Sequence, residues 1–144
     1  MSDKIIVGTD GSDTAKQAVH EAVRLAKALG AELHVVTGSK SLRAARVVGA
    51  AEGAKQVYGS MHAAVPQAAV DDAAAEARIA GVETKAHVVD RDGAEALLTV
   101  AGEVGATMIV VGSKGMTGGR RLLGSVPNTI SHQAPCSVLI VATK

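Results

Sequence analysis

Apolar and polar positions along this chain follow two rhythms in alternation. Lys4 to Thr9 (KIIVGT) holds a short unbroken apolar run closed by Asp10, Gly11 and Ser12, which predicts a strand buried on both faces. From Thr14 to Leu29 the rhythm changes: Ala15, Ala18, Val19, Ala22, Val23, Leu25, Ala26 and Leu29 recur at steps of three and four, and Gly30 supplies a stop. That is an amphipathic helix, and ELHVVT at 32–37 follows as a second strand at crossover spacing. The least readable stretch is Gly38 to Pro66, where Gly38, Gly49, Gly53 and Gly59 break an Ala- and Val-rich sequence carrying Lys40, Arg43, Arg46 and Lys55; it reads as part helix, part flap. Pro66 is placed to open a helix at its first turn, and Val70, Ala73, Ala74, Ala77 and Ile79 carry a weak apolar face on to Gly81.

The second half repeats the alternation. Val82 to Val89 (VETKAHVV) has the two-residue period of a half-exposed strand at a sheet edge. Gly93 to Val104 is helical in spacing through Ala94, Leu97, Leu98 and Ala101, and Gly105 ends it. Thr107 to Val111 (TMIVV) is a second fully buried strand, Ser125 to Gln133 a short helix, and Ser137 to Ala142 a last strand. Five strands interleaved with helices predict a doubly wound α/β fold, a five-stranded parallel sheet with helices on both faces, in one domain over residues 1–144. In such sheets a ligand sits beyond the carboxyl ends of the strands, where the winding reverses. The two most apolar strands, the first and the fourth, are expected to be neighbours there.

Composition narrows the ligand. Aromatic content is 1%, from Tyr58 alone, so a stacking platform for single-stranded nucleic acid is excluded and a bound purine must lie between aliphatic side chains. Fifteen Lys and Arg against fourteen Asp and Glu leave no global field for nucleic acid or acidic lipid, so partner choice is local. The single cysteine, Cys136, cannot form an internal disulfide, the start does not resemble a secretory signal, and the apolar runs are far short of a bilayer span. The expectation is a reduced, cytoplasmic protein with no membrane partner.

Two glycine-bearing loops follow the two inner strands. Gly8-Thr9-Asp10-Gly11-Ser12 leaves the first, and Gly112-Ser113-Lys114-Gly115 leaves the fourth, with Gly124-Ser125-Val126-Pro127-Asn128 eight residues further on. Glycine lets backbone N–H groups approach an anion, and a helix starting near Ser125 points its free amides the same way. A single glycine pair makes no more than a tight turn; convergence of five with Ser113, Ser125 and Asp10 predicts an anion or nucleotide site. Neither loop has the GK[ST] ending of a Walker A loop, and the first strand-to-helix turn lacks GxGxxG.

The whole chain resembles the universal stress proteins, from IIVGTDGS through AELHVV to VGSKGMTGGRRLLGSVPNTISHQAPCSVLIV. The last stretch is similar to that family's ATP-binding motif, Gly, two residues, Gly, nine residues, Gly, Ser or Thr. Here eight residues separate Gly115 from Gly124, one fewer than in the motif. The resemblance implies a sheet of order 3-2-1-4-5 and a site for ATP or another adenine nucleotide, cyclic AMP and AMP included. It places Gly112 and Gly115 at the ribose and nearby phosphate, Gly124, Ser125 and Val126 at the phosphate chain, and Asp10 and Val35 near adenine and ribose. Thr9, Gly11, Ser113, Lys114 and Pro127 complete the expected nucleotide-binding set. It also implies a homodimer through the last strand, whose Val138, Leu139, Ile140 and Val141 leave an apolar edge; on physics alone a single, helix-covered edge is equally consistent.

Some residues keep two readings. Asp10 can hold a magnesium ion through phosphates or accept from ribose or adenine; the alternative is a cap on the following helix, for which Ser12 and Asp13 are better placed. Lys114, Arg120 and Arg121 either screen phosphate charge or are ordinary loop residues. His20, His34, His62, His87 and His132 lack metal-ligand spacing, and His34 reads as a buried, hydrogen-bonded core residue. Cys136 reads as a small buried thiol, with no base to make it a nucleophile. No poised base or arginine finger is assignable, so the expected activity is binding, with any ATP hydrolysis slow and incidental. The rival classes are a small nucleotide hydrolase or transferase using the same crevice, and a nucleotide-free interaction module.

Overall fold

A computed structural model describes residues 3–39, 66–113 and 123–143 in full, together with the helical course of 52–65. Among the described residues, nine elements follow one another: β1 (Lys4–Gly8), α1 (Asp13–Leu29), β2 (Glu32–Gly38), α2 (Glu52–Ile79), β3 (Thr84–Val89), α3 (Gly93–Val104), β4 (Met108–Gly112), α4 (Ser125–Gln133) and β5 (Ser137–Val141). All strand pairs are parallel and the order is β3-β2-β1-β4-β5, so β1 and β4 are neighbours at the point where winding reverses. The doubly wound architecture expected from the alternation is therefore present, with strand boundaries shifted by a residue or two.

The period-two alternation of each strand sends its side chains to two separate cores. Ile5, Val7, Leu33, Val35 and Val110 face α1 and α2, where Ala18, Val19, Ala22, Val23, Val70, Ala73 and Ala77 meet them. Ile6, Val36, Ile109 and Val111 face the other way, against Ala96, Leu97, Val100 and Ala101 of α3 and Ile130 of α4. With no Phe or Trp to fill space, the alanines on the helices let helix and sheet approach closely, and Ile, Leu and Val supply the bulk.

Helix starts and stops are chemical. Ser12 caps α1, its Oγ accepting the Ala15 N–H at 3.2 Å, and Gly30 ends the helix in the left-handed region at φ 64°. Asp92 caps α3 by accepting the Glu95 N–H at 2.9 Å, and Gly105 ends it. Pro66 departs from expectation: it lies inside α2 instead of opening it. Its missing N–H removes one helical bond, but Ala63 and Ala64 upstream are strong helix formers, and the face of Ala69, Val70, Ala73 and Ala77 holds the downstream half on the sheet. The flap expected within 38–66 lies partly in residues 40–51, outside the described residues. Among the described residues, no helix is long and apolar enough to cross a membrane.

Candidate functional site

The carboxyl ends of β1, β2 and β4 open into a hollow of about 250 Å³. Gly8, Thr9 and Asp10 enter it from β1, Ser12, Thr14 and Ala15 from the start of α1, and Val36, Thr37 and Gly38 from the end of β2. Gly93 and Leu97 of α3, Val111 and Gly112 of β4, and Val126 and Pro127 of α4 close the far side. Its walls are aliphatic, as the lack of aromatics predicts for any planar guest, and polar groups cluster at the β1 turn.

That turn is tightly specified. The Thr9 N–H donates to Val36 O (3.0 Å), tying the end of β1 to β2. Gly11 takes φ 81°, its N–H donates to Thr9 Oγ1 (3.1 Å), and the Ser12 N–H donates to Asp10 Oδ1 (2.9 Å). The first of these is a conformation that L side chains rarely adopt, which is the reason for glycine there. Asp10 is exposed, with one carboxylate oxygen engaged in the turn, and Ser12 is the helix cap.

Across the hollow, α4 begins at Gly124, which brings no side chain to cap it. Pro127 has no N–H and the Asn128 N–H already donates to Gly124 O (3.1 Å), so the amides that this helix start presents are those of Ser125 and Val126. Ser125 is exposed, Val126 half-buried and Pro127 buried.

Of the expected site residues, Thr9, Asp10, Gly112, Val126 and Pro127 line one hollow, with Gly124 and Ser125 at the start of the helix beside it. Gly11 shapes the turn and faces a smaller recess between α1 and α2. Val35 points away into the α1 core; its neighbours Val36, Thr37 and Gly38 are the β2 residues at the hollow. Ser113 is buried, and its Oγ accepts the Thr143 N–H at 2.9 Å, anchoring the segment that leaves β5. Lys114 and Gly115 lie outside the described residues, as do Arg120 and Arg121.

Sequence reasoning missed Gly38 and Gly93. Gly38 has an ordinary φ, yet a Cβ there would fall 2.5 Å from Arg91 O and 2.8 Å from Asp92 C, so the β3–α3 turn rests directly on its backbone. Only the pairing of β2 with β3 brings these segments together. Burial pushes the Cys136 thiol up from its ordinary value, the opposite of an activated nucleophile. Among the described residues no three or more His, Cys, Asp or Glu side chains gather as a metal site.

Comparison with known proteins places this geometry. Residues 1–142 match the universal stress protein family. Universal stress protein Rv1636 of Mycobacterium tuberculosis (strain H37Rv) is 36% identical over 145 residues, covering 96% of this chain and 95% of its own. A crystal structure of a universal stress protein in complex with cAMP superimposes with a TM-score of 0.71 at 32% identity, over 99% of this chain and 98% of that one. The universal stress protein from Archaeoglobus fulgidus in complex with dAMP has a TM-score of 0.66 over 100% of this chain and 98% of that one; at 19% identity it speaks for the fold alone. A match running nearly end to end, on a sheet of the same winding, makes this chain a member of the universal stress protein family.

Proposed function

We propose that this protein binds an adenine nucleotide in the hollow at the carboxyl ends of β1 and β4 and acts by binding, in a stress-response or signalling role, without turning its ligand over. One observation carries the reading: an aliphatic slot and the start of α4, to which Gly124 brings no side-chain cap, face each other across the switch point of the sheet. The slot suits a base, because Val36, Leu97 and Val111 can cover its faces without rings. The helix start suits phosphate, because free N–H groups and the helix dipole converge there. Thr9, Asp10 and Gly112 would form the floor, with Gly11 shaping the β1 turn from its other side, and Ser113, Lys114 and Gly115 complete the proposed set. Val35 would act from behind, by setting the course of β2.

ATP is the first candidate and cyclic AMP or AMP the second. The second reading has its own support, since a 32% identical relative was crystallised in complex with cAMP. Magnesium fits only as a companion of phosphates: Asp10 offers one carboxylate, and among the described residues no further acidic side chain joins it at the hollow. We also propose a cytoplasmic homodimer through β5, whose outer edge pairs with no other strand among the described residues and whose Leu139 remains 38% exposed.

Melting temperatures measured with ATP, ADP, AMP and cyclic AMP, each with and without magnesium, test the binding reading; no shift at millimolar ligand would refute it. Ser125→Glu gives the sharper result. A carboxylate in the first turn of α4 favours the helix dipole but repels phosphate, so the ligand-free protein should melt no lower while nucleotide affinity drops roughly tenfold or more, equivalent to about 1.4 kcal/mol. Unchanged affinity would remove phosphate from the start of α4.

A further inference from the structure

A second polar cluster lies outside the hollow, on the face of the sheet covered by α3. His34 of β2 is 2% exposed in an otherwise apolar layer, and its Nδ1 lies 2.8 Å from Nε2 of His87 on β3. Its Nε2 lies 2.6 Å from Glu32 Oε1, close but off-axis, so that it has no well-directed hydrogen bond in this conformer. The Lys85 ammonium stands 3.6 Å from the same Glu32 oxygen. Among the described residues, Lys4 of β1 and Glu103 of α3 are the other charged groups acting on the cluster.

The donors and acceptors follow from valence. An ionised Glu32 can only accept, so His34 Nε2 carries a proton; neutral His34 then has only a lone pair at Nδ1, and His87 Nε2 must be the donor. One added proton is accommodated, because it can enter at His87 Nδ1 with the His87–His34 bond intact. A second must land on His34 Nδ1, which sets two N–H donors face to face and puts two cations on adjacent strands beside Lys85 and Lys4. Glu32 and Glu103 offset part of that charge.

We propose that Glu32, His34 and His87 form an acid-released latch that fastens the edge strand β3 to β2 and thereby holds one wall of the hollow. The latch bears on the wall because, among the described strands, β3 pairs with β2 alone, and it leads into the Arg91–Asp92 turn, which rests on Gly38. The Ser39 N–H donates to Val89 O (2.8 Å), locking the same corner. The latch is the same whichever ligand the hollow takes.

Burial, aided by Lys85, holds both histidines below their ordinary value of 6.5 against the opposing pull of Glu32 on His34 and of Glu103 on His87. The unfolded chain takes up protons first, so the latch's stability is complete above pH 6.5 and drains as pH falls toward the lower folded values. For Glu32, burial alone would raise the carboxyl, but His34, Lys85 and Lys4 together bring it below 4.5. Its stability is lost only in stronger acid, and the interval from pH 7.5 to 5.0 isolates the histidines.

Hydrogen exchange on the ligand-free protein, corrected for intrinsic rates, tests the proposal at those two pH values. Protection of the β3 amides should fall several-fold more than that of β1 on acidification, and His87→Gln should abolish this difference. Ring nitrogen spectra of the unaltered protein at pH 7.5 should show a proton on His34 Nε2 and on His87 Nε2, and none on His34 Nδ1. Equal losses in β3 and β1, an unaltered pH profile in His87→Gln, or a protonated His34 Nδ1 at neutral pH would each overturn the latch.

Discussion

Leu97→Ala is expected to destabilise the protein by about 3 kcal/mol, within the roughly 2–5 kcal/mol that such truncations cost in packed cores. Leu97 is 2% exposed, sits on the inner face of α3 among Ile6, Val36, Ile109 and Val111, and also lines the hollow. Its methyl groups lie where a Cβ on Gly8 would approach to 3.1 Å, so β1 and α3 interlock at this point. The truncation therefore leaves a void in the core and widens the slot proposed for the base. Nucleotide affinity should fall with stability, whereas Leu97→Met, which conserves most of the volume, should cost less than about 1.5 kcal/mol. Urea denaturation of the two variants checks this; a loss below about 1 kcal/mol for alanine would mean that the wall of the hollow is not part of the core.

Gly38→Ala should be nearly as damaging, although it adds one methyl group. The new Cβ would meet backbone atoms, Arg91 O at 2.5 Å and Asp92 C at 2.8 Å, so no side-chain rotation relieves the clash. The turn must retreat, and with it Asp92, whose carboxylate caps α3. Overpacking of about 1–3 kcal/mol together with a weakened cap of about 1 kcal/mol gives an expected loss of about 3 kcal/mol. Gly102→Ala is the matched control. It lies exposed within α3 with nothing near its absent Cβ, and the same substitution there should stabilise by about 0.5–1 kcal/mol through helix propensity. Equal effects at the two positions would show that the Gly38 contact is not a close one.

Both residues show where sequence reading reaches its limit. Leu97 was legible as a core position, because helical spacing through Ala94, Leu97, Leu98 and Ala101 marks one face. That the same side chain also walls the hollow was not, since it depends on where α3 docks across β1 and β2. In the sequence Gly38 is one of four glycines that break an Ala- and Val-rich stretch. What requires glycine there is a turn more than fifty residues later in the chain, brought against it by the β2–β3 pairing. The His34–His87 pair is of the same kind: burial of His34 follows from its place in a strand, but its partner lies on β3 and no spacing within the chain announces it.

Local rules determined the alternation of strands and helices and the caps at Ser12 and Gly30, because each depends on neighbours a few residues apart, and the doubly wound parallel sheet follows from that alternation through the handedness of its crossovers. Tertiary structure decided which face of β2 meets the hollow, why Pro66 sits within a helix, and where Gly38 and His87 find their contacts. Those outcomes come from close packing between distant segments, in which a tenth of a nanometre separates contact from clash, and the periodicity of a single chain carries no record of such distances.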